Sequence, residues 1–360
     1  MLLKTVAAAV LFIAAGGAGA QDAAVSGFSF VVTNFGAAYA LNNHEEIAVS
    51  YNYKISVDPR AGVLINGRLT DLHDLLTADK TAGSYAIAIN SDGNVAGYSE
   101  AWAPLPGNPK DKIIVKHAFL FREGRGLALP AEGEESSAAA INDHDQVVGS
   151  IGNDRSPEAV LWDKGKLIRL GRLPDETKSA AVAINNRGEI VGTSGHALSS
   201  VDVRGFVWEN GRMADLGDLG GARVSPKSIN DKGQVVGSAV NKKGELRGFL
   251  WQDGKMTELP ILTENQKGEK ILENSEACVA VSINNRSQIV GQCDLETDTG
   301  IQGPRAVLWQ NGKIIDLNSL VRANSGWFLN WPVQINDREQ VIGRGRSHGV
   351  DNSYFFLTLP

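Results

Sequence analysis

Apolar residues in this chain come in short runs, cut by Asn, Asp and Gly, and almost nowhere at helical spacing. One clean unit shows the pattern. Ala180–Ile184 is apolar, Asn185-Asn186-Arg187-Gly188 breaks it, and Glu189–Gly192 resumes it. Gly205–Trp208 is a third run, Glu209-Asn210-Gly211 turns the chain, and Met213–Leu216 is a fourth. Four short antiparallel strands are predicted. Asn suits the first position of a type I turn because its side chain bonds nearby backbone, and Gly then takes the left-handed conformation of a bulged hairpin.

The unit repeats. Its signature Ile-Asn-x-x-Gly-x-Val-Val-Gly reads Ile89–Gly97 in one copy and Ile229–Gly237 in another. The matching residues are Asn42, Asn90, Asn142, Asn185, Asn230, Asn284 and Asn336, at steps of 48, 52, 43, 45, 54 and 52. That period predicts an all-β, seven-bladed β-propeller of four-stranded antiparallel blades. The last unit offers Pro332–Ile335, Gln340–Gly343 and Tyr354–Leu359, and then no fourth strand. The segment Phe28–Gly36 precedes the first unit, so this N-terminal strand is expected to close the last blade and remove an exposed edge. An open β-solenoid is the alternative.

A second motif, an apolar run before a Gly turn, begins at His117-Ala118-Phe119, Glu158-Ala159-Val160, Arg204-Gly205-Phe206, Arg247-Gly248-Phe249 and Arg305-Ala306-Val307. With the Asn turns, it resembles the HAF-type extracellular repeat family over nearly the whole mature chain. The resemblance implies an extracellular or periplasmic β-propeller and transfers no catalytic residue.

Composition adds the compartment. Residues 1–20 read as a secretory signal: Lys4, the apolar stretch Val6–Ala15, and Ala18-Gly19-Ala20 before Gln21. Residues 21–360 are then one domain, periplasmic or secreted, with no membrane span and expected to be a monomer. A net charge of −6 argues against a nucleic-acid partner. The two cysteines, Cys278 and Cys293, stand symmetrically about the turn Asn284–Ser287. A disulfide is expected if they face each other; a bulge could turn them to opposite faces, leaving two buried thiols.

The two tight turns of each unit share one rim. The variable connections share the other, and function is expected there. They are Tyr51–Arg60, Trp102–Lys116, Gly195–Arg204, Pro260–Cys278, Asp294–Pro304, Arg322–Pro332 and Arg344–Asn352. Trp162, Trp208, Trp251 and Trp309 share one repeat position and read as core. Trp102, Trp327 and Trp331 fall outside the repeat and could stack on sugar rings or pack under their own loops. His73, His196, His348 and Arg344 are the candidates for acid–base or metal chemistry. Asp294, Glu296 and Asp298 alternate like a calcium loop but lack its distal Glu. No other cofactor is implied. The recurrent Arg204, Arg247 and Arg305 read as structural, with a lining for acidic polysaccharide as the alternative.

The leading expectation is a non-catalytic exported propeller that binds an extracellular or cell-envelope glycan or protein through its variable face. A polysaccharide lyase or hydrolase at the channel mouth is one alternative. A scaffold for envelope proteins is the other.

Overall fold

The computed structural model describes residues 5–6, 13–14, 25–28, 36–52, 58–76, 82–105, 107–153, 155–196, 202–262, 277–297, 300–322 and 324–360. Among them the only helical segments are the turns His73–Leu76 and Leu317–Leu320. The unit read from sequence forms as antiparallel strands Lys178–Ile184, Ile190–Gly195, Val203–Glu209 and Arg212–Asp215. Six hydrogen-bonded sheets hold the described strands. The eight-stranded one spans two repeat units, joined through a single parallel pair, Val203 with Arg223.

The Asn turns lock these units in series. Asn230 is buried, and its Oδ1 accepts from the N–H of Lys232 and of Gln234, both at 3.0 Å. Its Nδ2 donates to Gln234 Oε1 in its own turn and to the carbonyl of Asn284 in the next. The inter-unit bond recurs at 2.9–3.1 Å from Asn42 to Asn90, Asn142, Asn185, Asn230, Asn284 and Asn336, and Asn336 donates back to the Asn42 carbonyl. Each side chain therefore satisfies buried groups of two units at once.

The residue after each Asn adds a second series. The N–H of Ser91, Asp143, Asn186, Asp231, Asn285 and Asp337 each bonds the side chain one unit on, ending at Asn43 Oδ1. From Asp143 on to Asn43 carboxylate and amide alternate, so Asn285 Nδ2 donates to Asp231 at 2.8 Å and to Asp337 at 3.0 Å.

The fourth turn residue has positive φ throughout. It is Gly at 93, 188 and 233, but Glu45, Asp145, Ser287 and Glu339 elsewhere, with φ of 58–65°. Such a conformation costs a non-glycine residue about 1–2 kcal/mol. Each of the four side chains offsets that by bonding the preceding unit: Gln340 to Glu45, Asn94 to Asp145, Ser287 to Gln234 and Gln288 to Glu339. The Gly that ends the motif has another cause. A Cβ at Gly149, Gly192 or Gly237 would stand 2.0–2.2 Å from a carbonyl of the first strand.

Packing follows the same order. The cluster Val148, Ala159 and Leu161 is completed by Ala181, Ile184, Ile190 and Phe206 of the following unit. In the same way Leu41, Val49, Tyr51 and Leu64 of the first unit pack with Ile342 and Tyr354 of the last. Trp162 and Trp309 are buried, and each donates its indole N–H at 2.7 Å to the carbonyl of a loop proline. At the end of the chain Val350–Thr358 pairs with Val25–Phe28, from Val25 opposite Leu357 to Phe28 opposite Tyr354. The segment expected in that place, Phe28–Gly36, meets the described residues only at Phe28 and Gly36.

Cys278 and Cys293 form a disulfide, with S–S 2.05 Å. A bulge was the risk to this pairing, and a bulge instead creates it. Near the turn Ile283 faces Ile289 and Ser282 faces Val290; the register then slips by one, so that Ala280 faces Gly291 and Cys278 faces Cys293. Without the slip Cys278 would lie opposite residue 294. The closed loop adds about 3 kcal/mol in the chain-entropy model.

Candidate functional site

A polar cavity of about 170 Å³ is lined by all seven Asn turns, with Leu41, Ile89, Ile141, Ile184, Ile229, Ile283 and Ile335 beneath them. The Asn side chains that line it are engaged in the two hydrogen-bond series.

The other end of the first strands is irregular. There a cross-strand pair links the first and second strands of each unit. In four units the pair carries no aromatic ring: Ser137–Ser150, Ala180–Thr193, Ser225–Ser238 and Val279–Gln292. In three successive units, counting the last as neighbour of the first, it is Trp331–Arg344, Ala37–Ser50 and Tyr85–Tyr98. The guanidinium of Arg344 lies 5.4 Å from the Trp331 ring centroid, and Tyr85 stacks on Tyr98 at 4.6 Å. The small Ala37–Ser50 pair, between two pairs that each carry an aromatic ring, leaves a gap. It is a largely apolar cavity of about 480 Å³, lined by Gly36, Ala37, Tyr39, Ser50, Asn52, Pro59 and Tyr85.

Burial controls the phenols here. It raises the Tyr39 pKa, against a smaller opposing pull from the Ser50 hydroxyl and the Arg344 charge. Burial, reinforced by Glu100, pushes Tyr85 up to about 12. Both stay protonated donors at neutral pH. Ser50 Oγ is buried and has no hydrogen-bond partner among the described residues.

Beyond this cavity the strands Val95–Leu105 and Asn108–Arg122 extend their hairpin past the length of a typical unit. The expected loop Trp102–Lys116 is this extension. Trp102 sits opposite Ile114 on it, and each is 46% exposed. Trp327 differs: it is half-buried against the core of Val290, Leu317 and Leu329.

The histidines do not form one group by position. His73 is buried, with Nδ1 at 2.8 Å from Ser84 Oγ, which also accepts from the Ala61 N–H. Its place matches Asn318: Asp71-Leu72-His73 and Asp316-Leu317-Asn318 each bond the Asp side chain to the N–H two residues on. Both tie the end of one unit to the first strand of the next. Burial, and then the Arg60 charge, lower the His73 pKa. The folded chain thus resists a proton that the unfolded chain binds below about pH 6.5, so stability is lost as pH falls through that value. His73→Asn should flatten the dependence of melting temperature on pH between neutrality and pH 5; equal slopes in both proteins would reject this role. His348 lies in an exposed turn with φ 49°, its Nδ1 at 3.0 Å from Ser347 Oγ, and His196 is exposed at the end of its strand.

Asp294 and Glu296 fall on the strand Ile289–Thr297, paired with Gly300–Gln310, where a loop was expected; Asp298 lies outside the described residues. Among the described residues no cluster of three His, Cys, Asp or Glu side chains is placed to hold a metal.

The recurrent arginines are engaged in ion pairs at one sequence distance, eleven residues. Arg60 pairs with Asp71, Arg204 with Asp215, Arg247 with Glu258 and Arg305 with Asp316. One unit reverses the charges, as Glu158 with Arg169. Arg344 belongs to none of these and has no carboxylate partner among the described residues. The eleven-residue spacing, the alternation after Asn and the break in the cross-strand pairs were all present in the sequence. They emerge only when the units are aligned column by column.

Neither a family model nor a curated protein sequence matches the chain. Solved structures do. The β-propeller domain of the trilobed protease from Pyrococcus furiosus aligns over 89% of this chain and 95% of its own, with 12% identity and a TM-score of 0.54. A prolyl endopeptidase aligns over 82% of this chain but 46% of its own, with 8% identity and a TM-score of 0.52. The fold is a β-propeller, and identities this low carry nothing about activity. No described helix is long and apolar enough to cross a membrane.

Proposed function

We propose that this chain is an exported, seven-bladed propeller of the HAF-repeat type that binds an extracellular or envelope glycan on the rim opposite its Asn turns. The cyclic Asn series supports seven blades, the eight-stranded sheet counting as two. The pairing of Val25–Phe28 with the last strand supports closure by the N-terminal strand. The disulfide supports an oxidising compartment.

The observation that carries the binding reading is Trp102. An indole 46% exposed at the end of a stiff two-stranded extension, beside an equally exposed Ile114, offers a flat apolar face for the C–H face of a pyranose. The test is a glycan array with purified mature protein. Trp102→Ala should keep the wild-type melting temperature and weaken the captured glycan about tenfold, equivalent to about 1.4 kcal/mol. Undiminished binding by that variant would reject the platform.

A further inference from the structure

We propose that the cavity between the Trp331–Arg344 and Tyr85–Tyr98 pairs is a separate subsite for one anionic sugar residue, a hexuronic acid by chemistry. This rests on the glycan reading above and names the sugar class.

Shape comes first. The small Ala37–Ser50 pair sits where the neighbouring units carry aromatic pairs, so the gap has tyrosine walls, Tyr39 and Tyr85. A cavity of about 480 Å³ has room for a monosaccharide, and aromatic walls suit the C–H faces of a pyranose ring.

Polarity comes next. Ser50 is 3% exposed and its Oγ has no hydrogen-bond partner among the described residues, which ordinarily costs a protein stability. A ring hydroxyl seated on Ala37 would satisfy it. The Tyr39 and Tyr85 phenols and buried Asn52 supply further hydrogen-bonding groups along the same walls.

Charge sets the class. The arginines at the starts of third strands are neutralised within their own units, whereas Arg344, on the second strand of the last unit, stacks on Trp331 and meets no carboxylate among the described residues. Its charge is felt at the phenols of Tyr39 and Tyr354. At the opposite wall Glu100 and Asp58 act on Tyr85. A sugar with a single carboxylate, which an Arg fork can hold through two parallel hydrogen bonds, suits this cation.

The experiment titrates the full mature chain with sodium D-glucuronate and, separately, D-glucose, followed by tryptophan and tyrosine fluorescence and by NMR of the sugar. Glucuronate should bind and glucose should bind at least tenfold more weakly. Arg344→Gln, a surface change that leaves the fold intact, should remove that preference. Ala37→Leu, which fills the cavity, should abolish binding; Ser50→Ala, which cannot block it, should weaken glucuronate and covers the case in which the leucine variant fails to fold. Lys232→Ala, an exposed position in an Asn turn, should leave glucuronate affinity unchanged. Equal binding of both sugars, full affinity in Arg344→Gln, or no glucuronate binding would each overturn the proposal. In any of these cases a glycan still captured on the array and lost with Trp102→Ala leaves the wider glycan reading intact. Glucuronate binding with an array signal indifferent to Trp102 separates the two in the other direction.

Discussion

Asn230→Ala should destabilise the protein by about 4 kcal/mol, and lower its melting temperature by roughly 8 °C, as measured by thermal and urea unfolding. The side chain makes four hydrogen bonds: two accepted from its own turn, one donated to Gln234 and one donated to the Asn284 carbonyl. Each contributes about 1 kcal/mol net, and alanine leaves buried backbone groups without partners. Lys232→Ala, in the same turn but on its solvent side, should change stability by less than about 0.5 kcal/mol. A loss below about 1 kcal/mol for Asn230→Ala would mean that the inter-unit amide series contributes little to the fold.

Arg305→Met should cost about 3 kcal/mol by the same measurements, because it strands a charge. Arg305 and Asp316 have side chains each 9% exposed and meet at 3.0 Å, with the guanidinium 5.0 Å from the Phe328 ring centroid. Removing the cation leaves the Asp316 carboxylate buried without its counter-ion. Arg305→Met combined with Asp316→Asn should recover much of the loss, since an amide at 316 can still cap Asn318. The equivalent Arg204–Asp215 pair is a control supplied by the repeat itself. Arg204 is 42% exposed, so Arg204→Met should cost less than about 1 kcal/mol. Equal costs at both positions would show that burial does not set the strength of these pairs.

Strand number, turn chemistry and the core tryptophans were legible in the sequence because each rests on local pattern. Asn185, Gly188 and Trp162 carry their reasons within a few residues of themselves. The role of the Asn side chain was legible only by half. Its bond to its own turn is local, but its bond to the next unit spans 43–54 residues and needs the units set side by side. Cys278 and Cys293 show the limit of symmetry arguments: their pairing depends on a one-residue slip near Val281 that nothing in the spacing specifies. Among the candidate residues, Trp102 emerged exposed, whereas Trp327 and His73 are held by packing that depends on a neighbouring strand. The aromatic pairs around Ala37–Ser50 are visible as departures from the repeat. What they enclose depends on the first and last units packing against each other, which sequence order alone does not show.

Hydrogen–deuterium exchange of the purified protein, with and without a glycan captured on the array, tests most directly the division into a scaffold rim and a binding rim. Protection is expected at Ala101–Val115, Ala37–Tyr39 and Trp327–Trp331, with the turns Asn230–Gln234 and Asn284–Gln288 unchanged. Protection centred on those Asn turns instead would place the ligand on the other rim and contradict the division.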